Sequence, residues 1–374
     1  MDPIGLAIRG STGAIGKTHI DAINKLSSCR LVGVTARNQG PLGKQARELG
    51  VKAFASLEAT LRDPEVNAIV IATPHPSHRN IALQAMEEGK HVLVEKPLSV
   101  TPSEADQMIT LSRQLGVTLG VLFNNRFRTE AIKMKNLIEE GVLGPIYRTH
   151  MISAMFRPQG YYDQLDWRGT WENEGGGVLL NQGIHAIDLL IWLTEMPTSV
   201  SAQIKTIKHS IEVEDYATAI LEYESGALGT LHCNTVQVPS KQRIEIYGEN
   251  GALIMDDWKV TLHRSRTPIR ELIENDSSVL GSQWWIDSPV YDSENLDTLD
   301  SIETHAPAID DFAKAIIYNR DPAVTGEEGR KAQEVVAAVT MSGCLGTKVS
   351  LPVNRSEYDV LLESLIASRR LPDS

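Results

Sequence analysis

Two short stretches hold residue types that could do chemistry. The first is Val92-Leu93-Val94-Glu95-Lys96-Pro97-Leu98, where an apolar strand runs into a charged pair and a proline. Proline cannot donate to a sheet ladder and restricts the residue before it, so the strand ends here. Glu95 and Lys96 then stand at the carboxyl end of a strand, where open α/β sheets bind ligands. A lysine there can charge-stabilise a substrate oxygen; the plain alternative is a solvated ion pair. The second stretch runs from Gly175-Gly176-Gly177 to Asp188. On a helix, Asn181, His185 and Asp188 fall on one face at i, i+4 and i+7, beside an apolar stripe of Leu180, Ile184, Ile187 and Leu190. A histidine, with an ordinary pKa of about 6.5, is a natural proton acceptor near neutral pH. The plain alternative is a surface stripe with a satisfied histidine.

The elements that must position these groups alternate through residues 1–125. An apolar strand over 4–8 enters the turn Gly10-Ser11-Thr12-Gly13-Ala14-Ile15-Gly16, and a helix follows to Leu26. Glycines in such a turn let the backbone approach a pyrophosphate at a helix N-terminus. The usual G-x-G-x-x-G is imperfect here, because Ser11 occupies the first glycine's place and Gly10 is displaced by one. A second strand, 30–35, ends Thr35-Ala36-Arg37-Asn38, without the carboxylate that usually takes the ribose hydroxyls. Arg37 could instead fork onto a 2′-phosphate, or it is simply a surface arginine.

Helices over 42–49 and from Leu57 precede a strand over 68–72, which ends Thr73-Pro74-His75-Pro76-Ser77-His78. Ala72, Thr73 and Pro74 suit a turn against a flat cofactor. His75 and His78 are read as packing or cofactor contacts rather than metal ligands, since no third ligand lies near them. Thr101-Pro102-Ser103-Glu104 is a capping box opening a helix to about Leu115. A strand over 118–123 then ends in Asn124-Asn125-Arg126-Phe127, placing Asn124 at the cofactor and Arg126 at the substrate. This alternation is that of a parallel, doubly wound sheet.

From residue 126 the pattern changes. A helix over 130–140 is followed by strand-like runs at 146–155, 199–205, 217–223, 228–234, 242–247, 252–255 and 259–263, with an Asn-Gly turn at 250–251. These predict an α+β domain, 126–374, with a large open, mainly antiparallel sheet. Apolar residues on both faces of 217–223 and 228–234 suggest that one face takes helix cover and the other a second subunit, as a homodimer or homotetramer. Tyr161, Tyr162, Trp167 and Arg168 precede the histidine helix and could line a substrate site. Adjacent Trp284-Trp285 suit stacking, a subunit contact or simple packing. His305 opens a helix with the core stripe Ile309, Phe312 and Ile316, and could reach the pocket from that helix's start.

A net charge of −12 argues against a nucleic-acid or anionic-membrane surface. Runs such as 68–72 are far too short to span a bilayer. The start, Met1-Asp2-Pro3-Ile4, shows no signal-peptide pattern, and Cys29, Cys233 and Cys344 are scattered without metal-like spacing. The expectation is a cytoplasmic protein with reduced thiols and no metal.

Glu95-Lys96-Pro97, the N-terminal glycine turn, Ala72-Thr73-Pro74 and Gly-Gly-Gly…Asn181-x-x-x-His185-x-x-Asp188 together resemble the Gfo/Idh/MocA oxidoreductases. Gly141-Val142-Leu143-Gly144, Glu212-Val213-Glu214-Asp215 and Val324-Thr325-Gly326-Glu327-Glu328-Gly329-Arg330 extend the resemblance over nearly the whole chain. The resemblance implies a Rossmann domain binding NAD(H) or NADP(H), and a sugar, sugar derivative or cyclitol as substrate. It implies Lys96 and His185 as the catalytic pair flanking the reacting carbon. Asn181 stands where many members have aspartate; it can orient a hydroxyl but not carry a proton as a carboxylate does. With Arg37 in view, NADP(H) is favoured over NAD(H). A same-fold enzyme for a diol or tetrapyrrole, and a cofactor-binding sensor without catalysis, are the alternatives; intact Lys96 and His185 count against the sensor.

Overall fold

The computed structural model describes residues 2–275, 290–296 and 304–372; Trp284-Trp285 lie outside them. A six-stranded parallel sheet comprises β1 (Ile4–Arg9), β2 (Cys29–Thr35), β3 (Lys52–Ala53), β4 (Ala68–Ile71), β5 (His91–Glu95) and β6 (Leu119–Leu122) in the order 3-2-1-4-5-6. That is a Rossmann sheet, with its topological switch point between β1 and β4. Its connections carry α1 (Ala14–Ile23), α2 (Gln39–Leu49), α3 (Leu57–Leu61), α4 (His78–Glu87) and α5 (Pro102–Leu115). Three of these helices open on side-chain caps: Asn38 accepts from Gly40 N and so opens α2 three residues earlier than the apolar pattern predicts, Ser56 accepts from Ala59 N, and Thr101, as its capping box predicts, from Glu104 N. The central strands are buried on both faces, which is why they read as continuous apolar runs.

After α6 (Thr129–Glu139) comes a nine-stranded sheet. Its strands are β7 (Ile146–Ala154), β8 (Ser199–Lys205), β9 (Tyr216–Glu222), β10 (Leu228–Asn234), β11 (Lys241–Gly248), β12 (Gly251–Asp256), β13 (Lys259–Ser265), β14 (Tyr291–Asn295) and β15 (Val349–Ser350), in the order 14-13-12-11-7-10-9-8-15. The sheet is antiparallel except where β10 lies parallel to β7. Parallel neighbours need a long crossover, and residues 155–198 provide it, carrying α7 (Gln159–Asp163) and α8 (Ile184–Leu193). The chain then adds α9 (Ile269–Asn275), α10 (His305–Tyr318), α11 (Gly326–Leu345) and α12 (Arg355–Ser368). α11 packs on β8 and α8 on one side and on α5 and β6 on the other, joining the two sheets. α10 returns to the first sheet against α1, β1 and β6, with Ile309 and Phe312 in its core. A division at 125/126 thus separates the two sheets but leaves α10 on the first.

Side chains alternate along a strand, and the register shows which ones face out. On β9 these are Tyr216, Thr218, Ile220 and Glu222; on β10 they are Leu228, Thr230 and His232, Asn234 sharing their face but buried. On these two strands the open face is therefore mixed, not apolar as the sequence suggested: His232 bonds Thr218, while Ile220 and Leu228 bring aliphatic surface, 51% and 57% exposed. Among the described residues, no helix is long and apolar enough to cross a membrane.

Candidate active site

Lys96 leaves the end of β5 and crosses to the second domain. Its Nζ donates to the Asn181 backbone oxygen at 2.7 Å and lies 3.5 Å from Asn181 Oδ1. Asn181 sits in a wide π-turn, Leu179–Gly183, that runs directly into α8 and His185. Such turns are frequent at functional sites. The preceding glycines let this turn approach its neighbours: a Cβ on Gly177 would stand 1.9 Å from the Glu214 backbone oxygen. Glu214 in turn accepts from Gly177 N and Leu179 N, each at 3.0 Å, capping the turn. One turn on, the His185 ring meets Phe123 edge-on at 6.0 Å, and its buried Nδ1 has no partner among the described residues.

Around this pair the first domain supplies a polar brace. Glu95 turns inward: its Oε1 lies 2.9 Å from His19 Nε2 on α1, and its Oε2 accepts from Lys96 N. Burial pushes the Glu95 carboxyl up, but the His19 bond and the charges of His19, Lys96 and His305 pull it to about 2. Burial lowers Lys96 below the ordinary lysine value, against the pull of Glu95 and Glu174. Burial, then the Lys96 charge, holds His185 at about 3, so its imidazole is neutral over the physiological range.

The glycine turn suits a dinucleotide. Gly10 has φ +94°, and a Cβ there would stand 2.2 Å from the Ala72 backbone oxygen, so the β1 and β4 turns can touch only because it is glycine. Gly13, Ala14 and Ile15 are exposed, and no side chain caps α1, leaving its first N–H groups for an anion. The Ser11 hydroxyl is buried beneath the turn without a partner among the described residues. Thr73 bonds Ser77 at 2.6 Å, shaping the β4 loop, and Asn124 donates to Thr304 at 2.6 Å, tying α10 to the end of β6. Arg37 is exposed past β2. Next to it Arg9, which no sequence signal marks, ends β1 and donates to Thr35 Oγ1 at 2.9 Å.

Several expected site residues gather around the Asn181 turn and its neighbours. Asn181 Nδ2 and Gln182 Nε2 reach the Tyr161 hydroxyl at 3.4 and 3.3 Å, and Arg168 stacks on the Tyr161 ring at 3.9 Å. Trp167 meets the His75 ring at 5.7 Å. His75 is buried and donates from Nδ1 to the Glu174 backbone oxygen at 3.0 Å. His305 stands 5.5 Å from His19, ring to ring, and its charge acts on both Glu95 and His185.

Three expected contacts lie behind the site instead. Asp188 is fully buried and takes Arg126 Nε and Nη2 at 2.9 and 2.7 Å; Arg126 Nη1 bonds Glu328 at 3.1 Å. The π-turn breaks the 3.6-residue repeat, so regular i, i+4, i+7 spacing from Asn181 does not carry Asp188 into the cleft. His78, also fully buried, lies between the Pro97 and Thr73 backbone oxygens at 2.9 and 2.8 Å and braces the two loops. Sequence reasoning also misses His19 and Glu174. Both are buried polar groups whose partners are distant in sequence or out of helical phase, and no local spacing points to them.

Residues 4–123 match the model of the oxidoreductase family with an NAD-binding Rossmann fold, and residues 131–254 that of the GFO/IDH/MocA C-terminal domain. Among similar proteins, the uncharacterized oxidoreductase YdgJ of Escherichia coli is 32% identical over 51% of this chain and 54% of its own length. The 1,5-anhydro-D-fructose reductase of Ensifer adhaerens is 26% identical over 89% of this chain and 92% of its own. The WlbA dehydrogenase of Bordetella pertussis, solved in complex with NADH and UDP-GlcNAcA, superposes with a TM-score of 0.79 at 27% identity, over 94% of this chain and 100% of that one.

Proton linkage checks the buried histidine. His185, at about 3 in the fold and about 6.5 unfolded, binds its proton more readily in the unfolded chain. Its contribution is thus full above pH 6.5 and is lost as pH falls toward 3, at up to about 1.4 kcal/mol per unit. Glu174 and Glu214, both raised to about 7, act in the opposite sense between their unfolded values and 7. The wild-type-minus-His185→Gln difference removes that background. Urea unfolding from pH 7 to 4 should show this difference shrinking as pH falls; a flat difference would mean that His185 is not desolvated.

Proposed function

The chain belongs to the GFO/IDH/MocA family of NAD-binding oxidoreductases, and we propose that it moves a hydride between the nicotinamide and a secondary alcohol or ketone of a sugar, sugar derivative or cyclitol. The observation that carries this reading is the convergence of Lys96, from the first sheet, on the turn that leads into His185. The sugar-named reductase and the structure holding a nucleotide sugar support the substrate class.

When bound, the nicotinamide accepts or gives the hydride. The protein's own part is proton and charge handling. Neutral His185 keeps one accepting ring nitrogen, suited to take the substrate hydroxyl proton. Lys96, held by Asn181, places positive charge where alkoxide develops. Asn181 Oδ1 and the Tyr161 hydroxyl can meet further substrate hydroxyls, and Arg168 keeps the Tyr161 ring in place. Gly10, Ser11, Gly13, Ala14 and Ile15 would hold the pyrophosphate, with Ala72, Thr73 and Pro74 beside the dinucleotide. The scattered cysteines, Cys29 and Cys233 buried, suit a cytoplasmic setting.

Steady-state rates on a panel of sugars and cyclitols, with cofactor titration, test the catalytic pair. Lys96→Ala and His185→Ala should each lower turnover by about 10²-fold or more with cofactor affinity kept. Near-wild-type turnover in either variant removes that residue from the mechanism.

NADP(H) is the preferred cofactor in this reading. Position 36 is alanine, so no carboxylate repels a 2′-phosphate, and Arg37 is exposed at the end of β2. Arg9 adds a second guanidinium near it; burial and the Arg37 charge lower it from the ordinary arginine value, against Glu58. One charge-assisted contact contributes about 1.5–3 kcal/mol, so Arg37→Ala should cut kcat/KM for NADP⁺ by roughly tenfold or more relative to NAD⁺. A wild type that favours NAD⁺, or an unchanged ratio in the variant, refutes the phosphate role.

The working form is a homodimer or homotetramer joined through the open face of the larger sheet, where Ile220 and Leu228 are exposed. Light scattering at micromolar concentration should give a multiple of 41.1 kDa; a monomer refutes the assembly.

A further inference from the structure

Glu174 lies in the loop before the three glycines and is 1% exposed. Its Oε2 accepts from Gly169 N at 2.6 Å, and its Oε1 accepts from Asn181 Nδ2. An amide has one donating and one accepting end. With Nδ2 committed to Glu174, Asn181 can offer only Oδ1 toward Lys96, and Oδ1 stands 3.5 Å from Nζ. Among the described residues, Glu95 and Glu174 are the carboxylates whose charges act on Lys96, and Glu95 is occupied by His19.

We propose that Glu174 is a positioning residue of the active site, acting through Asn181 to hold Lys96 and to set the charge that Lys96 faces. This rests on the reading of Lys96 as the substrate-facing lysine. Burial pushes the Glu174 carboxyl up to about 7, against the pull of the Gly169 N–H, the Asn181 amide, Arg168 and Lys96. The other ionisable groups around it are His75, on its backbone oxygen, and Tyr162 and Glu214, both raised in part by its charge. A carboxyl raised to about 7 changes charge near neutral pH, and the negative charge that Lys96 faces changes with it.

Amide geometry makes the proposal testable. In Glu174→Gln the new side-chain oxygen must still accept from Gly169 N, so its NH₂ meets the Asn181 NH₂. Asn181 must then flip and turn its donors on Lys96. In Asn181→Asp two carboxyls abut and one must keep a proton. The double variant combines Glu174→Gln with Asn181→Asp. There the glutamine amide at position 174 donates to the aspartate carboxylate at position 181, and that carboxylate accepts from Lys96. The hydrogen bond is restored with its direction reversed, and the ionisable group is one residue nearer the lysine.

The experiment compares these three variants with the wild type in two ways. One is the pH profile of kcat on the best substrate of the sugar and cyclitol panel. The other is the rate of Lys96 acetylation by acetic anhydride from pH 5.5 to 9, read by mass spectrometry of the peptide. In the wild type, Lys96 acetylation should show an inflection near pH 7, absent from Glu174→Gln. Glu174→Gln should lose at least tenfold in kcat with cofactor affinity unchanged, and the double variant should recover most of that loss. A wild-type acetylation profile without the inflection overturns the proposal, even if the variants fail to fold. So does a Glu174→Gln enzyme with wild-type kcat, or a double variant no better than the singles. A wild type that oxidises or reduces nothing on the panel defeats the functional reading instead, while acetylation still tests Glu174.

Discussion

One contact organises this protein: the bond from Lys96 Nζ to the Asn181 backbone oxygen, between the end of a Rossmann strand and a turn of the second domain. A lysine ammonium keeps three donors and is strongly hydrated. Holding it partly buried therefore requires oxygens in place around it, and much of the surrounding structure supplies or orients them. Glu214 caps the π-turn so that the Asn181 carbonyl points at the lysine. Glu174 orients the Asn181 side chain, and Glu95, which accepts from the Lys96 backbone N–H, sets its negative charge near the ammonium.

The same constraint explains the buried charges behind the site. α8 carries His185 and must be anchored on its far side, and the Arg126–Asp188–Glu328 cluster does this. It ties the turn after β6 to α8 and α11, with Arg126 also 5.7 Å from the Trp192 ring. Removing one partner from such a buried pair typically costs about 3–5 kcal/mol, because the other charge is left desolvated. His78 acts similarly on a smaller scale, holding the Thr73 and Pro97 loops at a set separation. The cleft is therefore built from polar brackets on a largely apolar frame, in which α11 joins the two sheets.

Much of this was legible in the chain alone. Strands buried on both faces give uninterrupted apolar runs, and the Thr101 capping box gives a local start signal; both depend only on near neighbours. Glu95-Lys96-Pro97 was readable as a strand end because proline's effect on the ladder is local. His185 and Asn181 were readable from one helical turn. The tertiary structure alone decided three further things. It placed Asp188 behind the site, because the π-turn shifts helical phase. It made the open sheet face mixed, because register decides which alternate residues point outward. It brought Glu174 to Asn181 and His19 to Glu95, because the partners of a buried polar group are chosen by the folded topology, and no period in the sequence records a contact between residues 19 and 95.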